Sequence, residues 1–120
     1  MASPISNHLH TGQLGENMAQ LYLQERGYSI LERNYRYKRA EIDIIAQKEK
    51  LLIFVEVKTR TSDTFGFPEA AVDTRKEKLL LDAAEEFILA ANWQHDIRFD
   101  IISVTLSTPP AILHFEDAFH

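Results

Sequence analysis

The chain has 120 residues, no cysteine, and 13 basic against 18 acidic side chains, which gives a formal net charge of −5. This length is typical of one domain with its own hydrophobic core. The lack of cysteine excludes disulfides and thiolate metal sites. No run of about 18 apolar residues is present, and no basic segment precedes an apolar one at the start. We therefore expect no transmembrane helix, no signal peptide and a cytoplasmic location.

The first third of the chain is expected to contain an arm, a helix and a strand. We interpret residues 1–10 as a loose N-terminal arm and residues 11–120 as a single domain. Apolar side chains then recur at helical spacing, and Gly27 can end the helix, so a helix is predicted at about 12–26. The side chains that define this spacing are Leu14, Met18, Leu21 and Tyr22. Residues 29–37 are predicted to form the first strand.

Two segments dense in isoleucine, valine and phenylalanine follow, at 41–45 and 53–58. Apolar, β-branched segments of this length are typical of strands packed against other layers. Because the link at 47–50 is short and polar, we predict that the two strands form an antiparallel hairpin.

The remaining chain is predicted to contain a loop, a helix and two strands. Residues 59–68 are rich in Thr, Ser and Gly and are interpreted as a loop, and residues 69–92 as a long amphipathic helix. Residues 97–106 are predicted to form a strand. The pair Pro109–Pro110 breaks the chain before a final edge strand at 111–115.

The predicted hairpin carries charged side chains that buried strands normally exclude, because such charges are costly unless paired, hydrated or bound to a metal. They are Glu41, Asp43, Glu56 and Lys58. Side chains alternate along a strand, so Glu56 and Lys58 share a face, as do the other two. The alternative is a purely structural network of ion pairs on a solvent-exposed face of the sheet.

The register of the hairpin decides whether these charges meet. We predict that Ala46 pairs with Leu51. This register sets Asp43 opposite Phe54 and diagonal to Glu56, with the two acids on one face and about 7 Å apart at Cα. A slip of one residue would move the aspartate to the other face.

Two neighbouring carboxylates without cysteine or histidine favour hard cations such as Mg²⁺ or Mn²⁺ over zinc. We predict that Asp43 and Glu56 are metal ligands, helped by the carbonyl of Val57. Lys58 would orient the attacking water or balance charge on a phosphate. The chemistry that this set suggests is hydrolysis of a phosphodiester bond.

The same residues resemble a known signature. An aspartate followed about a dozen residues later by apolar residues and Glu-x-Lys is similar to the PD-(D/E)xK nuclease signature. Further segments are distinctive: Gly12–Glu16, Gly27–Arg36, Glu41–Ile45, Phe54–Arg60, Phe65–Gly66, Ala71–Asp73 with Lys76, Arg98–Asp100 and Ala118–Phe119. Through these segments, which span residues 12–119, the chain resembles the YraN family of small bacterial proteins.

The resemblance implies an α/β, restriction-endonuclease-like fold, a mixed β-sheet flanked by helices with an α-β-β-β-α-β core. It also implies that Glu16, on the first helix, joins the catalytic and metal-binding residues. An equally weighted alternative is that Glu16 only interacts with the positive end of its helix. The chain departs from the family pattern at Ala40, where glycine is usual, and from the wider signature at Ile42, where proline is usual.

The distribution of charge bears on the partner. Residues 1–78 hold 12 basic and 11 acidic side chains, whereas residues 79–120 hold one basic and seven acidic. A basic rim near the site would bind a phosphate backbone, and its candidate contacts to nucleic acid are Arg36, Arg39, Arg60 and Lys76. Tyr35 and Tyr37 either stack on exposed bases or pack in the sheet, which we favour.

Two functions follow from these observations. The first is a Mg²⁺- or Mn²⁺-dependent endonuclease acting on DNA, including branched or damaged DNA. The second is a non-catalytic nucleic-acid-binding or adaptor module that retains the nuclease fold. The sequence leaves open whether the protein works as a homodimer or with another protein partner.

Overall fold

The backbone forms one five-stranded sheet with a helix on each face in the computed structural model, which describes residues 4–61 and 74–119, with side chains from Thr11 and, after the gap, from Arg75. The elements are α1 (Pro4–Glu25), β1 (Ser29–Tyr37), β2 (Ala40–Lys48), β3 (Leu51–Arg60), α2 (Thr74–Ala91), β4 (Asp96–Thr105) and β5 (Ala111–Phe115). Residues 59 and 60, which we predicted to be loop, belong to β3. The predicted loop beyond Thr61 and the predicted helical residues 69–73 lie outside the described residues.

The strands lie in the order β1-β2-β3-β4-β5. β1, β2 and β3 form an antiparallel meander, β4 runs parallel to β3, and β5 returns antiparallel beside β4. The parallel pair requires a crossover connection, which contains α2. The predicted mixed sheet, its flanking helices and the α-β-β-β-α-β order are therefore confirmed, with β5 as a final edge strand.

Apolar side chains fill both faces of the sheet. On one face, Ala19 and Leu23 of α1 are buried against Ile44, Val55 and Ile102 of the sheet. On the other, α2 is buried against the opposite side chains of the same strands. The buried residues of this second core are Ala40, Ile42, Ile45, Leu52, Phe54, Leu80, Ala83 and Ala84. Because both faces are covered, the middle strands read as nearly continuous apolar segments.

The first helix is longer than predicted. It begins at Pro4, so residues 4–10, which we expected to form a loose arm, are helical. Proline is favoured in the first turn of a helix, where a backbone N–H has no intrahelical partner. The predicted end is confirmed, because Gly27 has a φ of 92° and the N–H of Tyr28 bonds to the carbonyl of Leu23 at 3.0 Å. In the described residues, no helix is both long and apolar enough to cross a membrane.

The hairpin is antiparallel, but its predicted register was wrong by two residues. Ala46 pairs with Ile53 rather than with Leu51, and Lys48 pairs with Leu51. The turn therefore contains two residues instead of four, and Glu49 takes a left-handed conformation with a φ of 55°. A shift of two residues does not by itself move a side chain to the other face.

Candidate active site

The site forms where β1 and β2 interrupt the regular alternation of their side chains between the two faces of the sheet. Asn34 has a φ of 54°, a conformation that asparagine tolerates better than most residues. In a regular strand Arg33 and Tyr35 would share a face. Instead, Arg33 bonds to α1, whereas Tyr35 packs on Phe87 of α2.

In β2, which pairs with β1, the alternation of side chains is interrupted at the same place. Ile42 belongs to the core beneath α2, whereas Ile44 belongs to the core beneath α1. These residues pair with Tyr35 and Arg33, respectively. The residue between them, Asp43, therefore lies where the strand passes from one layer to the other.

Asp43 takes the place of a backbone acceptor. The β2–β3 ladder ends at the pair Ile44–Val55. Beyond it, the backbone N–H of Val57 donates a 2.8 Å hydrogen bond to Oδ2 of Asp43. This bond holds the aspartate beside Glu56, the residue that precedes Val57 on β3.

The environment of Asp43 opposes its charge. Burial raises its pKa, and the negative charges of Glu16, Glu56 and Glu41 raise it further, against the opposing effect of the Val57 hydrogen bond. Together they raise the pKa of Asp43 to about 7. Acids on both helix-covered faces, Glu16 on α1 and Glu56 facing α2, thus act on one carboxyl group.

Glu56 is held by two lysines through one oxygen. Its Oε1 is 3.1 Å from Nζ of Lys58 and also bonds to Nζ of Lys76, which α2 supplies. Its Oε2 is buried and has no hydrogen-bond partner among the described residues. Phe54, Phe99 and Phe119 line the apolar pocket next to this carboxylate.

Lys76 stays charged in this position. Burial opposes its charged form, but the hydrogen bond and charge of Glu56 outweigh that effect and raise the pKa of Lys76. Sequence spacing alone links Glu56 to Lys58, two residues along the same strand. The contact with Lys76 depends on how α2 packs, so strand alternation does not predict it, and Lys76 was predicted only as a contact to nucleic acid.

Glu16 reaches the site because α1 approaches β3 closely at Gly15. A Cβ added at Gly15 would lie 2.7 Å from Cγ2 and 2.8 Å from Cβ of Thr59, closer than van der Waals contact allows. The next residue, Glu16, accepts 3.1 Å bonds from both Arg33 and Asn34. Its carboxylate is therefore anchored to β1 while its charge acts on Asp43.

Arg33 and Asn34 are the site residues that the sequence analysis did not single out. Besides Glu16, Arg33 bonds to Asn17 at 3.3 Å and to Gln20 at 2.6 Å, so it joins β1 to α1. The available signal was an asparagine inside a predicted strand, because strands are depleted in asparagine and it tolerates left-handed backbone.

The described residues contain no cluster of three or more Asp, Glu, His or Cys side chains placed to hold one metal ion. The predicted ligands Asp43 and Glu56 are adjacent, and Val57 lies beside both, but Glu16 is engaged by β1. A cation at this point would have two carboxylates, with the Val57 carbonyl and water as further ligands. Mg²⁺ is often bound in this way, by one or two carboxylates with water and substrate phosphate.

The candidate contacts to nucleic acid lie in different settings. Arg36 is 80% exposed and pairs with Glu41 at 3.0 Å. Arg39 is exposed, Arg60 is half-buried at the end of β3, and Lys76 bonds to Glu56. Two further residues, Tyr35 and Tyr37, pack against the core beneath α2, as favoured over base stacking.

Comparison with known proteins identifies the family. Residues 15–104 match the model of the uncharacterised protein family UPF0102. The chain belongs to this family. Its membership confirms the resemblance to the YraN family, which is the same family.

Relatives match almost the whole chain. A UPF0102 protein of Flavobacterium psychrophilum is 46% identical over 117 residues, covering 97% of this chain and 98% of the relative. A UPF0102 protein of Caldanaerobacter subterraneus subsp. tengcongensis is 44% identical, covering 95% and 93%. One from Dictyoglomus thermophilum is 46% identical, covering 92% and 94%.

Proposed function

We propose that the protein is a Mg²⁺- or Mn²⁺-dependent endonuclease that hydrolyses phosphodiester bonds in DNA. The observation that carries this proposal is the hydrogen bond from Val57 to Asp43, which fixes one carboxylate beside another, Glu56. Two carboxylates and a lysine on adjacent strands form a compact, partly buried set. Such a set is costly for stability, and hydrolysis at a metal-bound phosphate accounts for it.

The donor atoms fit a hard cation. Oε2 of Glu56 is buried without a hydrogen-bond partner among the described residues, and such an oxygen is normally satisfied. Asp43 and Glu56 would hold the ion with the carbonyl of Val57, and Glu16 would join them on release from Arg33. All of these ligands are oxygens, the atoms that Mg²⁺ and Mn²⁺ prefer.

The protein groups supply the remaining chemistry. A bound cation would polarise the phosphoryl oxygen and favour ionised water. Lys58 shares a strand face with Glu56, so its ammonium group is directed to the same place. There it would orient the attacking water or neutralise charge on the phosphate.

The arrangement of elements supports a nuclease fold. A helix, a three-stranded meander, a crossover helix and a parallel strand follow in that order, as in restriction-endonuclease-like proteins. In the proposed fold, the acids lie on the second and third strands of the meander, and the first helix supplies Glu16. The fold thereby agrees with the roles proposed for these side chains.

DNA is the proposed substrate, in duplex, branched or damaged form. Arg36 lies on β1, Arg39 in the turn between β1 and β2, and Arg60 at the end of β3, and these side chains would bind the backbone. The outer surface of α2 carries the exposed acids Asp82, Glu85 and Glu86, so it would face away. Action on two strands would require a homodimer or a protein partner.

A second candidate is a non-catalytic nucleic-acid-binding or adaptor module. The specific observation that favours it is the state of Glu56, whose Oε1 is already shared by two lysines. In a module of this kind, the ion pairs would replace the metal permanently. Nucleic acid would then bind without a divalent cation and without turnover.

Metal binding is the first test. Mn²⁺ titration by calorimetry is expected to show binding to the wild type and loss of it in Asp43→Asn and Glu56→Gln. Glu49→Gln, which removes one acid from the β2–β3 turn, is the matched control and should bind as the wild type does. A wild type that binds no Mn²⁺, with or without DNA, would refute the proposal.

Turnover is the second test. Single-stranded, duplex and junction DNA would be incubated with the protein and Mg²⁺ or Mn²⁺. Cleavage should be lost in Lys58→Met and kept in Lys50→Met, the control at the exposed turn. Binding of DNA by all variants with no cleavage of any substrate would favour the adaptor module.

A further inference from the structure

We infer that Lys76 exchanges between Glu56 and a phosphate of bound nucleic acid, so that the divalent cation and the nucleic acid bind cooperatively. This inference rests on the proposed function and concerns the control of the same site. It assigns Lys76 a role distinct from that of Lys58, although both lysines contact the same oxygen.

The two lysines are held differently. Lys58 and Glu56 lie on one strand, two residues apart, so β3 keeps them together. Lys76 belongs to α2, the helix that connects β3 to β4. Its side chain is 41% exposed, whereas that of Lys58 is 25% exposed. A long, exposed side chain on another element can leave the carboxylate without moving the strand.

The charges at the site require one positive group to leave when a cation binds. Two ammonium groups now share Oε1 of Glu56, with Asp43 nearby. A divalent ion on Asp43 and Glu56 would take up both negative charges. Both lysines would then lie beside the ion and lose the Glu56 charge that they now share, which is unfavourable in a partly buried site.

A phosphodiester would replace the charge that Lys76 loses at Glu56. It carries one negative charge, and its oxygens accept strong hydrogen bonds from an ammonium group. If Lys76 transfers to the phosphate, Glu56 is released for the cation, and the phosphate also completes the coordination of the ion. Each ligand then removes an obstacle to the other, and the effect must be reciprocal.

This mechanism also accounts for the small number of acids. Glu16 is bonded to Arg33 and Asn34, so Asp43 and Glu56 are the two carboxylates open to a cation before that bond is released. The described residues contain no cluster of three acids placed to hold one metal ion. A site with two carboxylates and two nearby ammonium groups would bind a cation weakly on its own. The ion would be held firmly only when a phosphate occupies the site, which restricts the reactive state to the complex with nucleic acid.

The experiment compares metal and DNA binding in a set of variants. Mn²⁺ is titrated by calorimetry with and without a 12-nucleotide DNA strand that has phosphorothioate linkages, which keep the charge and resist hydrolysis, and the strand alone is the blank. Fluorescence anisotropy measures the affinity for the same strand with and without Mn²⁺. The proteins are the wild type, Lys76→Met, Lys76→Arg and Lys78→Met, the last an exposed lysine on the same helix.

In the wild type, DNA should raise the Mn²⁺ affinity about tenfold, within the usual range of such coupling, and Mn²⁺ should raise the DNA affinity equally. Lys76→Met should bind Mn²⁺ more tightly than the wild type without DNA and lose the coupling. Lys76→Arg, which keeps the charge, and Lys78→Met should retain it.

Two results would overturn the inference while leaving the proposed function intact. One is a wild type that binds Mn²⁺ with an affinity independent of DNA, a measurement that needs no variant to fold. The other is equal coupling in Lys76→Met and the wild type. If the wild type binds no Mn²⁺ under either condition, the proposed function fails and this inference fails with it.

Discussion

The backbone N–H of Val57 donates a 2.8 Å hydrogen bond to the carboxylate of Asp43. The backbone pairing of β2 with β3 ends at Ile44 and Val55, so this side chain replaces the next backbone acceptor. The position gives the aspartate one fixed partner but keeps it buried near three other acids. Its pKa is accordingly raised to about 7. The protein thus holds a carboxylate where its charge is unfavourable, which is the usual balance at a functional site.

The first prediction is that Asp43→Asn stabilises the protein at pH 8. The folded pKa of Asp43 lies above its ordinary value of 3.8, so folding costs free energy wherever the unfolded chain is ionised. A shift of this size corresponds to an increase in the free energy of unfolding on the order of 2–4 kcal/mol. The asparagine oxygen can still accept the bond from Val57. Urea unfolding at pH 8 measures the difference.

The pH dependence provides the control for this prediction. Stability from Asp43 is fully present below the unfolded pKa and is lost as the pH rises through about 7. The advantage of the asparagine variant should therefore shrink as the pH falls and vanish below about pH 3, where the aspartate is neutral in both states. Asp82→Asn, at an exposed position on α2, should show no such pattern. An asparagine variant that is no more stable than the wild type at pH 8 would contradict the prediction.

The second prediction concerns the pH dependence of cation binding. Below about pH 7, Asp43 holds a proton that a metal ion must displace. Ligands bind metal in the deprotonated form, so the Mn²⁺ affinity should rise up to about tenfold per pH unit below this value and level off above it. Calorimetry at about pH 6, 7 and 8 in buffers of different ionisation enthalpy would measure both the affinity and the proton release.

A flat affinity between pH 6 and 8, with no proton release, would show that Asp43 is not the titrating ligand. Tris and a second phosphate-free buffer should give the same number of released protons once the ionisation heat of each buffer is subtracted. Glu49→Gln should follow the wild-type pH profile, because residue 49 lies in the β2–β3 turn away from the site.

The elements of the fold could be predicted because apolar periodicity depends on local sequence. β1 occupies the residues predicted for it, 29–37, and the helix end at Gly27 follows from local backbone freedom. The hairpin register could not be predicted in the same way. Its turn contains Glu49 in a left-handed conformation, and neither glycine nor asparagine marks that position.

Only the part of the site that follows from the alternation of side chains along a strand could be predicted. Glu56 and Lys58 share a face because they are two residues apart. Alternation fails at Asn34, where the side chains of β1 change faces, so the sequence does not indicate that Arg33 pairs with Glu16. The contact of Lys76 with Glu56 depends on the packing of α2, which local patterns do not determine.

The third prediction is that Gly15→Ala lowers stability. The added methyl group would overlap the side chain of Thr59, which is fixed on β3. Forcing a carbon into a packed contact usually costs about 1–3 kcal/mol. Because α1 would have to move away from β3, Glu16 would also move from Asp43. Urea unfolding and Mn²⁺ titration of the same variant would measure the two effects.

Gly12→Ala is the matched control on the same helix. A Cβ at Gly12 meets nothing within 4 Å. Alanine is favoured over glycine inside a helix by about 1 kcal/mol, so this variant should be slightly more stable than the wild type. Equal effects of the two substitutions would mean that helix propensity, rather than contact with Thr59, determines the result.

The fourth prediction concerns a second buried carboxylate, which does not belong to the candidate site. Asp100 of β4 is fully buried and bonds to Arg98 through both oxygens at 2.8 Å. It also bonds to His114 of β5 at 2.8 Å and accepts the N–H of Asp117 at 3.1 Å. Burial opposes its charge, but the bonds from His114, Arg98 and Asp117 outweigh this and lower the pKa of Asp100.

Asp100→Asn should therefore destabilise the protein by about 2–3 kcal/mol, because it weakens the hydrogen bonds that Arg98 and His114 make to a fully buried carboxylate. The Arg98 side chain is 21% exposed and keeps Glu116 as a charge partner at 3.6 Å. Asp96→Asn makes the same change at an exposed site on the same strand and should alter stability by no more than about 0.5 kcal/mol. Because the depressed pKa contributes stability that is lost on acidification, the gap between the two variants should narrow as the pH falls below about 4. Urea unfolding at pH 7 and pH 3 measures this difference in stability between the two variants. Equal stability of the variants at pH 7 would show that Asp100 does not hold β5 to the sheet.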